Sequence, residues 1–220
     1  MAIEFSNILT IAQERKGGPQ ALADLLGDAP DTPIAADDRI LSSMGQHIMS
    51  AGFQWRVVQI KWPDHETVFG GFDVDHVAAM DAETLGTIAQ DPRVIRHRAK
   101  ILAIHHNAVW MQAMAAEHGS FGAWIDAWPS DDLVGLHQAL KKQGKRLGGA
   151  TGWRMLRSVG KDTFIPTQSV VQALVNAGVV TKAVSSKRDQ RAMQDAFNQW
   201  RAETGRSFTH LSRILAYSVP

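Results

Sequence analysis

Apolar residues in this 220-residue chain recur three and four positions apart almost from end to end, and glycine, proline or a capping residue interrupts them at helix lengths. Phe5, Ile8, Leu9 and Ala12 mark a first helix that stops near Gly17-Gly18. Pro19 opens a short second helix that Gly27 closes. Asp31-Thr32-Pro33 reads as a linker. Ile40, Met44, His47, Ile48 and Ala51 share one face of a helix from Asp37 to about Ala51. Residues 73–89 give a short helix or a pair. Asp91-Pro92 supplies an N-cap and a proline start for a long pattern through Val94–Ala108. Ser130 is expected to cap the next helix, with Asp131-Asp132 complementing its dipole and Gly144 following its last turn. Further helices are expected over Trp153–Val159, from a Thr167 cap to Asn176, over Arg188–Ala202 and over Phe208–Ala216. Only Trp55-Arg56-Val57-Val58 hints at strand alternation. The pattern predicts an all-α protein.

The chain is long enough to bury a substantial core in one domain or two apposed lobes. No membrane span or signal peptide is expected, because the amphipathic start MAIEFSNILTIAQER is too polar for either. The chain has no cysteine, which excludes a disulfide framework and a thiolate zinc site and makes cytoplasmic residence the expectation. The net charge of +1 hides an asymmetry. Residues 1–92 carry 5 Lys/Arg against 14 Asp/Glu (−9), and residues 93–220 carry 18 against 8 (+10). That split reads either as two solvated faces or as a cationic C-terminal surface for a polyanion.

Leu136–Gly160 contains two helices joined by a glycine-rich turn, LKKQGKRLGGATG. Glycines such as Gly148 and Gly149 let a backbone approach a phosphate, and the N–H groups of the following helix start point at it. Lys141, Lys142, Lys145 and Arg146 add charge that releases counterions. Thr151 either donates its hydroxyl to the same phosphate or caps the second helix. The alternative is an ordinary helical hairpin with solvated lysines. Upstream, Arg96, Arg98 and Lys100, with titratable His97, cluster at the start of the long helical pattern.

Taken in order, Gly52-Phe53-Gln54-Trp55, Val94–Ala108 and the glycine hairpin resemble the 3-methyladenine DNA glycosylase I family of the helix-hairpin-helix glycosylases, from about Asp37 to Val180. The resemblance implies two helical lobes around a base-binding cleft. It implies one domain over 1–220, with divergent helices over 1–36, a family-like core over 37–180 holding the hairpin near 136–160, and C-terminal helices over 181–220. By the same resemblance Trp55 packs against a flipped base, with Phe53, Gln54 and Trp153 as further base-binding candidates. Arg96, Arg98, Lys100, Lys145, Gly148, Gly149 and Thr151 become DNA-binding candidates. Where the family has a glutamate that accepts a hydrogen bond from the base, this chain has His47, whose neutral imidazole offers one acceptor nitrogen.

The family's zinc ligands and N-terminal aromatics are missing here. No Trp, Tyr or His precedes His47, so no metal and no cofactor is expected. Gln168 stands where many helix-hairpin-helix glycosylases place an aspartate, and Asp162 is the nearest carboxylate in sequence; both join His47 as catalytic candidates. The second hairpin helix offers Arg154 and Arg157 where bifunctional relatives use a lysine nucleophile, so a lyase step is not expected. His105-His106 lacks the i, i+4 spacing of a metal pair. The function expected is a monofunctional, monomeric glycosylase that hydrolyses the N-glycosidic bond of an alkylated purine such as 3-methyladenine in double-stranded DNA. The alternative is a DNA-binding protein that has lost excision.

Overall fold

The computed structural model describes residues 4–30 and 32–220, so Asp31 of the expected linker lies outside the described residues. Among the described residues the structure is all-α, with thirteen α-helices, one 3-10 turn and no strand. The helices are α1 (Phe5–Lys16), α2 (Pro19–Leu26), α3 (Asp37–Ser50), α4 (Trp55–Val68), α5 (Val74–Ala78) and α6 (Ala82–Ile88). They continue with α7 (Arg98–His118), α8 (Phe121–Ala127), α9 (Leu133–Gln143) and α10 (Ala150–Ser158). α11 (Gln168–Asn176), α12 (Lys187–Thr204) and α13 (Phe208–Tyr217) complete the chain. The chain forms two compact units: one holds the N-terminal segment, 129–134 and 162–220, the other 33–128 and 135–161.

The first unit is built on aromatic packing. Phe164 stacks on Phe197 at 4.3 Å between ring centroids, Trp200 meets Phe197 edge-on at 5.5 Å, and Phe5 of α1 reaches Trp200 at 5.7 Å. The starts of α11, α12 and α13 are satisfied by side chains. Ser186 and Asp189 form a capping box on α12, and Thr167 caps α11 through the Val170 N–H at 3.3 Å. Asp162 completes α13: its two carboxylate oxygens accept the N–H groups of Phe208 and Thr209, both at 2.9 Å. That carboxylate is therefore committed to a helix end, and the sequence expectation of a catalytic Asp162 is corrected.

In the second unit, α3 packs against α4, α7 and α10. Asp37, at its first residue, accepts the N–H groups of Phe121 and Gly122 at 2.9 and 2.8 Å, so the start of α3 also caps α8. Trp62 of α4 stacks on Phe72 and His65 and donates its indole N–H to Ser42 of α3 at 2.9 Å. Arg39 holds Glu66 through two hydrogen bonds of 3.0 and 3.1 Å.

Three local expectations change. Trp55–Val58 is the first turn of α4, and the apparent alternation arises because Val57 faces solvent while Val58 is buried. Asp91 caps no helix: it folds back on Arg93, accepting its backbone N–H at 2.8 Å and its guanidinium at 2.7 Å. The long helix consequently starts at Arg98, after a connector whose Ile95 N–H is taken by the buried His65 Nε2 at 3.1 Å. α9 begins at Leu133, three positions after Ser130.

Asp162→Ala leaves two N–H groups of the first turn of α13 without partners. A urea melt should show a loss of about 1–2 kcal/mol, the scale of a helix cap, at unchanged m-value.

Candidate active site

The site begins where α3 ends. After Ser50 the chain leaves the helix through extended Ala51 and turns at Gly52, whose φ of 84° lies in the left-handed region that suits glycine. The Phe53 N–H closes the turn on the Ser50 carbonyl at 3.1 Å, and α4 starts two residues later at Trp55. The carbonyls at the end of α3 are satisfied from α7. Lys100 donates its ammonium to the Met49 carbonyl at 3.0 Å and to the Ala51 carbonyl, and sits 4.6 Å from the centre of the Phe53 ring. Burial lowers its pKa, and the nearby charge of Arg146 adds to that. At 3% exposure Lys100 is a structural clamp, which corrects its assignment as a DNA contact.

His47, in the last turn of α3, stacks against the Trp55 indole with centroids 5.3 Å apart and planes 20° from parallel. Its Nε2 lies 2.9 Å from the Ser158 hydroxyl of α10, and that hydroxyl is also 2.9 Å from the Arg154 carbonyl. A carbonyl only accepts, so the single hydroxyl proton goes to Arg154 and His47 must donate through Nε2–H. Nδ1 is left with its lone pair as an acceptor. Burial, with the charge of Arg154 in support, lowers the imidazole pKa to about 4, so the ring is neutral near pH 7. His47, Ser50, Phe53, Trp55 and Arg154 enclose a cavity of about 300 Å³. Trp55 is 41% exposed and Phe53 is 42% exposed, so both rings form its open lip.

The glycine hairpin lies between α9 and α10. Gly149, not Thr151, occupies the N-cap of α10, with φ 58° and ψ −142°, a combination that disfavours any side chain. Thr151 falls in the first turn, and Lys145 and Arg146 are exposed in the connecting segment. Buried Asn107 of α7 grips the backbone of Lys145 from both sides: its Oδ1 accepts the N–H at 2.7 Å and its Nδ2 donates to the carbonyl at 3.2 Å. His137 Nε2 reaches the Gly149 carbonyl at 2.9 Å, and its ring stacks on Trp153 at 4.4 Å. Trp153, 4% exposed, is thus part of the hairpin's interior, which corrects its expectation as a base-binding wall.

Of the sequence candidates, His47, Phe53 and Trp55 meet in one pocket, while Gln54 is the exposed N-cap of α4 and does not line it. Lys145, Gly148, Gly149 and Thr151 share the hairpin, and Arg96 and Arg98 are exposed at the start of α7. Asp162 and Gln168 belong to the other unit, where Gln168 is the exposed first residue of α11. Sequence reasoning missed Ser50, Ser158, Asn107 and His137, and saw Arg154 only as a residue that is not lysine. The i, i+4 spacing of Arg154 and Ser158 on one helix face was the available signal. No zinc of the family type fits: the chain lacks cysteine, and among the described residues no three His, Asp or Glu side chains are placed to share a metal ion. Among the described residues no helix is long and apolar enough to cross a membrane.

An all-helical chain with a glycine hairpin at the N-terminus of α10 has the fold of helix-hairpin-helix DNA glycosylases. A Methanocaldococcus jannaschii 8-oxoguanine glycosylase/lyase superimposes with a TM-score of 0.51, covering 96% of this chain and 95% of that chain at 12% identity. A solved 3-methyladenine DNA glycosylase I matches with a TM-score of 0.50 and 25% identity over 64% of this chain and 86% of that chain. Residues 32–160 match the methyladenine glycosylase family, and the chain belongs to that family. The DNA-3-methyladenine glycosylase 1 of Escherichia coli K12 is 43% identical over 58 residues, which span 26% of this chain and 31% of that relative's length.

A histidine held neutral in the fold has a signature in acid. The unfolded chain takes up its proton near pH 6.5, the ordinary histidine value, whereas folded His47 does so only near 4. Its contribution to stability is complete above about 6.5 and is lost as pH falls toward 4. An NMR titration should place the His47 imidazole near 4, and His47→Gln should flatten the fall in stability across that window.

Proposed function

We propose that this protein is a monofunctional DNA glycosylase, a cytoplasmic monomer that hydrolyses the N-glycosidic bond of an alkylated purine such as 3-methyladenine in double-stranded DNA. The observation that carries this reading is the half-exposed Trp55, backed by a neutral imidazole at the mouth of a 300 Å³ pocket in a methyladenine glycosylase family member. A base turned out of the duplex gains about 1–3 kcal/mol by stacking on such a ring. The hairpin supplies backbone N–H groups and the exposed Lys145 and Arg146 for phosphates, contacts that hold a duplex without reading its sequence. Arg96 and Arg98 extend the same cationic chemistry to the start of α7. The names of the relatives, which act on or bind 3-methyladenine, support the substrate class.

The chemistry is hydrolysis. The C1′–N bond breaks, its electron pair leaves with the base, and water adds to C1′ and gives up a proton to solvent, leaving an abasic site. A cationic alkylated purine leaves as a neutral molecule, so comparatively little transition-state stabilisation is asked of the protein. With Asp162 capping α13, His47 stands as the polar wall, its Nδ1 a hydrogen-bond acceptor for the base.

Purified protein should release free base from methylated duplex DNA, with or without a chelator. Trp55→Ala should slow single-turnover release by about tenfold or more, the scale of one lost stacking face, and leave affinity for undamaged duplex nearly unchanged. Paired replacement of Lys145 and Gly149 should weaken duplex binding and lower the slope of log K against log salt by about 1. Duplex binding without release of any base would move the protein to the alternative, a DNA-binding protein without excision.

A further inference from the structure

We propose that Ser158 is a positioning residue that decides which alkylated purine the pocket releases. By taking the Nε2–H of His47 it leaves Nδ1 as an acceptor open to the cavity. An acceptor there selects a base with a 6-amino group over one with a 6-oxo group. The inference rests on the glycosylase reading and deepens it by naming what the base must present to the wall.

A neutral imidazole has two forms that recognise opposite partners, because the nitrogen without the proton accepts and the other donates. Nothing in His47 itself chooses between them. Ser158 does. Its hydroxyl has one proton, and the Arg154 carbonyl one turn earlier on α10, 2.9 Å away, can only accept it. The lone pairs of the same oxygen lie 2.9 Å from His47 Nε2, so that nitrogen carries the ring proton. The stack on Trp55 holds the plane of the imidazole, and the Ser158 bond then holds its edge. Nδ1 makes no hydrogen bond among the described residues and is not a buried orphan, so it opens on the cavity that His47 lines.

The second recessed polar group gives the same answer. Ser50 donates its hydroxyl proton to the His47 carbonyl at 2.8 Å, which leaves its oxygen with lone pairs only. Phe53, Trp55 and Arg154, the other lining residues, are exposed and form the lip, so the recessed polar atoms both accept. In a 3-alkylated adenine still joined to its sugar, the positive charge is shared with the 6-amino group. Its N–H groups are thereby stronger donors, suited to an uncharged acceptor. The 6-oxo group of a 3-alkylated guanine brings lone pairs against lone pairs. With the ring proton on Nδ1 that preference reverses, so the tautomer, and Ser158 with it, sets the choice.

The test reads the tautomer and the selection separately. NMR of the isotopically labelled imidazole nitrogens at neutral pH should show His47 Nε2 protonated and Nδ1 bare. Ser158 is exposed, so its replacement leaves the core packing alone. Ser158→Ala should bring the Nδ1–H form into the equilibrium, and Ser158→Thr, which keeps the hydroxyl, should restore the original spectrum. Single-turnover release of 3-methyladenine and 3-methylguanine is then followed from one methylated duplex. Ser158→Ala is expected to slow 3-methyladenine by about three- to tenfold, the scale of one misdirected hydrogen bond, and to leave 3-methylguanine unchanged or faster. Ser158→Thr should recover the original ratio of the two bases. Equal slowing of both bases by Ser158→Ala would make Ser158 a merely structural residue and overturn the inference. A bare Nε2 in the unmodified protein would overturn it as well, leaving the glycosylase reading intact. Release of neither base by the unmodified protein, with the His47 spectrum as expected, would remove that reading and the selection with it.

Discussion

The buried ammonium of Lys100 is the constraint on which the pocket depends. Removing a lysine head group from water costs several kcal/mol unless its donors are met, and the partners here are the last carbonyls of α3 and the face of Phe53. Those carbonyls sit at the negative end of a helix, where a cation is favoured in any case. Satisfying the lysine therefore fixes three things at once: the end of α3, the Gly52 turn and the ring of Phe53. Trp55 follows two residues on. It is too exposed to be held by its own burial, so its place is set by a backbone anchored from α7.

From the other side the pocket is tied to α10. The nine residues of this helix span about 13 Å at the usual rise. Gly149 caps the end that belongs to the hairpin, Arg154 faces the pocket, and Ser158 near the far end holds His47. One short element thus joins the glycine turn to the wall of the pocket. The neutrality of His47 belongs to the same arrangement, because protonating its buried ring would add a charge beside that of Arg154.

The sequence made the helices legible because their signals are local. Pro19 at a helix start, Thr167 as a cap and Gly144 after a last turn each act within one turn of chain, and each is where its chemistry placed it. The Trp55–Val58 segment misled for a physical reason: a lip that keeps apolar residues in solvent breaks the rule that apolar means buried. Asp91-Pro92 misled because the aspartate found a closer partner in Arg93. The pocket was half legible. Trp55 and His47 could be placed by resemblance, but whether a lysine or tryptophan faces solvent or core depends on partners 16 to 51 residues away. Lys100 was read as a surface charge and Trp153 as a pocket wall because Met49 and His137 are invisible to any local pattern.

The hairpin shows why such distant partners matter to binding. A turn that grips phosphate through its backbone pays for every residue it must order on contact. Here much of that ordering is already complete. Asn107 holds both polar groups of the Lys145 backbone, His137 holds the Gly149 carbonyl, and Arg146 between them is kept at φ 60°, a left-handed conformation that an arginine does not adopt unaided. The strain at Arg146 persists because its neighbours are pinned on both sides. The backbone of the turn is therefore ordered before any contact is made, while the Lys145 and Arg146 side chains stay exposed.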